Sequence, residues 1–270
     1  MVVVERLRDG VGLAGGGRLL GRCCHDGFPV ELGASMTEES LLEVRDLSKS
    51  YRRRPVLRTL ALVVKEGEAV AVIGPNGAGK STFLGCITGD RIPDAGSIRV
   101  CGHDPFVDQS VVANWMGSVP ETPFLYGELT IAETIRFVSR VRGMDREDAA
   151  GESARLLDLF GLAGAEDVLC RELSQGMGRK TAIVLALLHR PRLLILDEIF
   201  NGLDLPSADR LIAELDAHRA RGGAFLLSSH NLSLLASVCD RGLLLAPDSW
   251  TNLDEEEWQR WKEAPALTPA

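Results

Sequence analysis

The segment Gly74-Pro75-Asn76-Gly77-Ala78-Gly79-Lys80-Ser81-Thr82 fits G-x-x-x-x-G-K-[ST], a spacing suited to holding phosphate. Glycines placed this way let successive backbone N–H groups turn inward around phosphate oxygens with no Cβ in the way. A helix starting at the end of the loop adds positive partial charge. Lys80 would then reach the β- and γ-phosphates of a nucleotide, and Ser81 would ligate Mg²⁺.

A second group of residues supplies carboxylates. Leu193-Leu194-Ile195-Leu196 reads as a buried strand, and Asp197 and Glu198 emerge at its C-terminal end. Ligands of open α/β sheets bind at that end. Asp197 suits a carboxylate that holds Mg²⁺ through water. Glu198, one residue on, suits a general base that polarises an attacking water.

Upstream, Leu173-Ser174-Gln175-Gly176-Met177 falls at a predicted helix start. A helix N-terminus with a small hydroxyl is an anion site. The segment resembles the L-S-G-G-Q signature of ATP-binding cassette (ABC) ATPases. Ser174 and Gly176 match; Gln175 and Met177 replace the second Gly and the Gln. Other positions fall where that family's motifs fall. Tyr51 resembles the aromatic residue that stacks on adenine. Glu121, in Val119-Pro120-Glu121, stands where the family's Q-loop usually has Gln; a carboxylate accepts bonds from metal-bound water but does not donate as an amide does. Asn201-Gly202-Leu203-Asp204 resembles the D-loop, and His230, in Ser228-Ser229-His230, resembles the switch histidine that contacts the γ-phosphate.

The resemblance covers about residues 41–247 and implies an α/β fold: a P-loop NTPase, RecA-like core with an antiparallel β edge and an inserted helical subdomain near residues 122–185. It implies an ATPase that uses ATP and Mg²⁺. Two such domains, from the same chain or a paralogue, would sandwich two ATP molecules, so that Ser174, Gln175, Gly176 and Asp204 serve the partner's nucleotide. It further implies a polytopic membrane permease as partner and a cytoplasmic, peripheral location on the inner face of the membrane. The segments Pro120-Glu121, Pro123–Tyr126 and Glu128–Thr130, together with Leu173–Met177, look most like bacterial ABC-2-type exporters. The competing reading within the family is a non-transport ATPase acting on ribosomes or DNA. Such members carry two cassettes, coiled-coil insertions or zinc modules, and none of these is visible here. No N-K-x-D motif suggests a guanine nucleotide.

The elements that must position these residues are legible in outline. Ala69–Ile73 reads as a buried strand before the phosphate loop, and Lys80–Ile87 as the helix after it. Gly96–Val100 looks like an edge strand. Thr130 and Glu133 have capping-box spacing ahead of the apolar face Ile131, Ile135 and Val138. Helices are predicted over 146–160, ended by Gly161, and from Ser174 to about His189. A further amphipathic helix has Pro206 in its first turn, Leu211, Ile212 and Leu215 on its face, and Gly222-Gly223 at its end. Ala224–Ser228 and Leu243–Leu245 complete the strands. Trp258 and Trp261, spaced i, i+3, suggest a short terminal helix packed on the core within a tail of residues 248–270.

Composition sets limits. The 270 residues carry 30 basic and 38 acidic side chains, a formal charge of −8, which disfavours a sequence-independent duplex-binding surface, and no nucleic acid is expected as partner. The basic cluster Lys49, Arg52, Arg53 and Arg54 reads as a solvated face. The longest apolar run, around Ala182–Leu188, is far short of the roughly 20 residues that span a bilayer. Six scattered cysteines with no C-x-x-C pair fit free thiols. Residues 1–40 read as a disordered extension, without the unbroken apolar stretch of a signal peptide, and Met36 is the expected natural start. His25, His103, His189 and His218 carry no motif.

Overall fold

Apolar runs of five residues bounded by turn formers build the centre of the molecule. The computed structural model describes residues 40–247 and 249–263. In chain order the elements are β1 (Ser40–Tyr51), β2 (Arg54–Lys65), β3 (Ala69–Ile73), α1 (Lys80–Ile87), β4 (Ala95–Val100), α2 (Gln109–Trp115), β5 (Met116–Val119), α3 (Ile131–Val141), α4 (Arg146–Leu159), α5 (Gln175–Leu187), β6 (Leu193–Asp197), α6 (Leu205–Ala220), β7 (Ala224–Ser228), α7 (Leu232–Val238), β8 (Arg241–Ala246), β9 (Ser249–Leu253) and α8 (Glu255–Glu263). A six-stranded sheet runs β5-β6-β7-β3-β8-β9, and a three-stranded sheet runs β2-β1-β4. The first is parallel except for β9; the second is antiparallel.

The strict alternation of a strand sorts the central side chains into two cores. Ala69, Ala71, Ile73, Leu194, Leu196, Phe225 and Leu227 face one way and pack with α3 to α7. Val70, Val72, Leu193, Ile195, Leu226 and Leu243 face the other way, against α1 and the antiparallel sheet. Each fully buried Val, Leu or Ile contributes about 1.5–3 kcal/mol. Burial on both faces explains why these strands are unbroken apolar runs.

The sequence signals around the helices have physical counterparts. Thr130 Oγ1 accepts from the Glu133 N–H at 3.1 Å while the Glu133 carboxylate accepts from the Thr130 N–H at 3.0 Å, a complete capping box for α3. Asp145 caps α4, and Gly161 follows its end with φ of 66°. Helix α4 is tied to the core by charge. Arg155 bridges Glu152 of its own helix (2.6 Å) and Glu214 of α6 (2.8 Å), and Arg190, past α5, reaches Glu152 at 2.7 Å.

Several elements go beyond the predicted ones: the β1–β2 hairpin, α2, β5, α7 and β9. Residues 249–263 pack on the folded unit. β9 extends the sheet beside β8, and Trp250 Nε1 and Asn252 Nδ2 donate to the Arg58 and Ala61 carbonyls of β2 (3.0 and 3.2 Å). Trp258 is fully buried, stacks on Trp261 with ring centroids 4.8 Å apart, and donates to the Cys239 carbonyl at 2.9 Å. Its ring lies against Gly242, where a Cβ would stand 2.8 Å from it. Cys86, Cys101, Cys170 and Cys239 are free and buried; burial pushes the Cys86 thiol up to about 11. Arg52, Arg53 and Arg54 are exposed in the β1–β2 turn, and Lys49 pairs with Asp94 at 2.8 Å. No helix among the described residues is long and apolar enough to cross a membrane. Residues 1–39, with Cys23, Cys24, His25 and Met36, lie outside the described residues.

Trp258→Ala is expected to destabilise the protein by about 3–5 kcal/mol, the usual cost of emptying a large aromatic site. Urea unfolding checks it; a midpoint equal to wild type would show that α8 docks without contributing to the core.

Candidate active site

The phosphate loop joins β3 to α1, and two of its glycines are sterically required. Gly74 has φ of 150°, and a Cβ there would lie 2.2 Å from the Leu245 carbonyl oxygen of β8. Gly79 has φ of 104°, and its Cβ would lie 2.9 Å from Val56 Cγ1. Both hold a backbone path that an L side chain would block. Pro75, Asn76, Gly77 and Ala78 form the crest, with Asn76 and Gly77 exposed. Gly79 has no side chain to cap α1, and the first turn of α1 carries no acid, so its leading N–H groups remain for an external anion. The buried Lys80 folds over the loop and donates to the Gly74 and Pro75 carbonyls at 2.8 and 3.3 Å.

Ser81, Asp197, Glu121 and Arg91 line one cavity of about 320 Å³ beside this loop. Arg91 also donates to Tyr51 Oη and to Thr82 Oγ1, both at 3.2 Å, so one cation joins the exposed Tyr51 to the end of the phosphate loop. Lys49 Nζ sits 5.5 Å from the Tyr51 ring centre.

The carboxylates are held from the neighbouring strand. Asp197 pairs with Ser228 in the β6–β7 register. Ser228 Oγ donates to Asp197 Oδ1 at 2.5 Å and accepts the Glu198 N–H at 2.9 Å. Glu198 has φ of 49°, a left-handed conformation that costs a non-glycine residue on the order of 1–3 kcal/mol. Its carboxylate is buried. Oε2 accepts from the His230 N–H (3.1 Å) and Asn201 Nδ2 (3.3 Å). Oε1 is buried without a hydrogen-bond partner among the described residues, with His230 Nε2 at 3.4 Å. The His230 ring is itself exposed.

The remaining predicted residues stand at the N-terminus of α5. Ser174 caps that helix by accepting the Met177 N–H at 3.2 Å, and Ser174 and Gln175 are exposed. Gly176 packs against the Gly202 carbonyl, which a Cβ would approach to 3.1 Å. Lys180 pairs with Asp204 at 2.6 Å, and Asp204 also caps α6 through the Ser207 N–H at 2.8 Å. Those two partners, Lys180 first, hold the Asp204 carboxyl well below the usual carboxylate range. No hydrogen bond among the described residues joins Ser174, Gln175 or Gly176 to residues 74–82.

Three residues that the motifs assign no role, Arg91, Arg179 and Ser228, take part in the geometry. Arg91 and Ser228 act through tertiary contacts that carry no local signal. Arg179 did have one. It is a cation on a helix face whose neighbours Ala182, Ile183 and Leu187 are buried, and a buried cation needs partners.

A phosphate loop between a parallel strand and its helix, with two carboxylates at the end of the parallel strand beyond the next one, defines a P-loop nucleoside triphosphatase. Residues 57–201, more than half of the chain, match the family described as ABC transporter. The chain is similar to the SkfA peptide export ATP-binding protein SkfE of Bacillus subtilis (strain 168), 34% identical over 205 residues covering 76% of this chain and 85% of the relative. It is also similar to the spermidine/putrescine import ATP-binding protein PotA of Spiroplasma citri, 32% identical over 209 residues covering 77% of this chain and 59% of the relative. A solved structure described as an ATP binding subunit of an ABC transporter superposes with a TM-score of 0.77 at 34% identity, over 83% of this chain and 94% of its own. This chain belongs to the ABC transporter family. It is an ATP-binding subunit, an ATPase that powers transport, and the ribosome- or DNA-acting alternative is not favoured.

Ser228→Ala removes the donor to buried Asp197 and an acceptor of the Glu198 N–H. A loss of about 1–3 kcal/mol is expected from the unsatisfied groups, together with reduced ATP turnover. Urea unfolding and a phosphate-release assay check it; both unchanged would show the hydroxyl to be dispensable.

Proposed function

We propose that two copies of this domain, or this domain and a paralogue, close around two ATP molecules and drive a separate polytopic membrane permease. The domain spans residues 41–247 with a helical subdomain near 122–185, and works at the cytoplasmic face of the membrane through that permease. The observation that carries the reading is the Glu198 carboxylate: buried, held through Oε2, with Oε1 unpartnered among the described residues and His230 beside it. A buried carboxylate oxygen without a donor, one residue past the Asp197 that lines the cavity beside the phosphate loop, suits a general base.

The phosphate loop, Gly74 to Thr82, would wrap the phosphates, and Lys80 would turn from its carbonyl partners to the β- and γ-phosphates. The donor set suits Mg²⁺: the Ser81 hydroxyl and the Asp197 carboxylate line one cavity, and both are hard oxygen ligands. Glu121 lines the same cavity and would bond water on the ion. When bound, Mg²⁺ supplies charge neutralisation on the phosphate oxygens. Tyr51 would stack on adenine. His230 would contact the γ-phosphate and, with Glu198, sense its loss. Ser174, Gln175, Gly176 and Asp204 would complete the site of the second subunit, which agrees with the exposure of Ser174 and Gln175. Export is the direction proposed, on the segments Pro120–Thr130 and Leu173–Met177 and the likeness to SkfE.

Glu198→Gln keeps the shape of the side chain and removes its basicity. Expected are retained ATP binding, turnover reduced by about 10²- to 10⁴-fold, and an ATP-bound dimer that accumulates on size exclusion. Steady-state hydrolysis at the wild-type rate would refute the assignment of the base. Affinity capture from detergent-solubilised membranes should bring down a polytopic membrane protein at near-equal stoichiometry; recovery of the chain alone would refute the permease partner.

A further inference from the structure

We propose that Arg179 is a positioning residue through which α5, the helix carrying Ser174 and Gly176, sets the orientation of Glu198. The inference rests on Glu198 as the general base and adds to it the part that aims it.

Arg179 is buried. One guanidinium nitrogen donates to the Glu198 carbonyl at 2.8 Å and another to the Glu121 carbonyl at 2.6 Å. The planar fork thus clamps the backbone of the base and of the loop after β5 to one rigid helix. Both acceptors are backbone oxygens, although the Glu121, Glu198 and Asp197 carboxylates all act on the Arg179 charge. None of those carboxylates is spent on the guanidinium, whose two bonds go to geometry. Its Nε has no partner among the described residues, so the two carbonyl bonds are what hold it.

Glu198 needs such a clamp. Its φ of 49° persists only where surroundings over-determine it. Its N–H is fixed by Ser228 from β7, and its carbonyl by Arg179. Releasing the second anchor lets the strained peptide relax and shifts the carboxylate from its contacts with His230 and Asn201. The next residue, Lys180, pairs with Asp204, so a displacement of α5 moves the base, Glu121 and the Asp204 turn together. Hydrolysis is thereby tied, within one subunit, to where the signature helix lies.

The test uses the full chain. Arg179→Lys keeps the charge and loses the fork. Arg179→Gln removes the buried cation, which keeps the comparison meaningful where the lysine variant folds poorly. Each is made in the wild-type and Glu198→Gln backgrounds. ATP affinity is read by equilibrium binding of a fluorescent ATP analogue, and turnover by single-turnover phosphate release. Expected is a fall in kcat of about 10- to 100-fold, the cost of an ångström-scale misplacement. ATP affinity should stay within about 2-fold. No further loss is expected once Glu198 is already Gln. A merely structural role would weaken ATP binding along with kcat. The proposal is overturned by an unchanged kcat, by a loss confined to ATP affinity, or by the same fold-loss in the Glu198→Gln background. Wild-type turnover in Glu198→Gln alone would instead sink the base itself, and with it the proposal.

Discussion

The in-register parallel pairing of β3, β7 and β6 is the constraint on which the site depends. Val72 pairs with Ser228, and Ser228 with Asp197, so three strand ends finish at one level. The phosphate loop leaves β3 there, the carboxylates leave β6, and Ser229-His230 leaves β7. A slip of one residue would exchange every side chain between the two faces. Both faces are sealed cores, so such a slip would turn Asp197 and Ser228 away from each other and mismatch both apolar sets. Apolar burial therefore fixes the polar geometry. The hydrogen bond from Ser228 to Asp197 reads out that register rather than creating it.

Helix α5 is held differently. Its middle is apolar and buried, while its ends are attached by polar contacts: Lys180 to Asp204 near the start, and Arg190 to Glu152 past the end. Arg190 is largely exposed, and ion pairs with an exposed partner contribute about 0–1 kcal/mol. Apolar contacts resist separation of the helix but tolerate small sliding displacements. The sheet is fixed by register, and α5 by its apolar middle together with the bonds of Arg179, Lys180 and Arg190.

The same division explains what the sequence made legible. Strands β3, β6 and β7 and helices α3 to α6 were readable because burial on two faces, or on one helical face, imposes a pattern that nothing interrupts. The hairpin of β1 and β2 was not resolved into strands. Its pairing is broken by register shifts, and Asp46 and Thr59 adopt positive φ, so the alternation fails locally. Strand β5 has only four residues, among them Gly117, whose Cβ would lie 2.3 Å from the Ala186 carbonyl; close approach to α5 decides it, not propensity. Strand β9 owes its place to β8 and β2. In the candidate site, the phosphate loop, Asp197, Glu198 and His230 could be singled out because their chemistry restricts residue type at fixed spacing. Arg91 and Ser228 were not singled out, because their partners are distant in sequence; Arg179 offered only the signal of a cation on a buried helix face.

Three features of the site suit an incoming polyphosphate. Lys80 spends its charge on two backbone carbonyls, Glu198 holds a strained φ, and one of its oxygens is buried without a donor among the described residues. Each is unfavourable alone and persists because its neighbours are fixed. A polyphosphate would draw Lys80 off the carbonyls and satisfy the free N–H groups of α1, and a water beneath it would satisfy Glu198. On the proposed reading, binding would relieve these costs only when the phosphates lie in the loop and α5 holds Glu198 through Arg179. The two conditions arise from different parts of the fold, the phosphate loop and α5, which would separate capturing ATP from spending it.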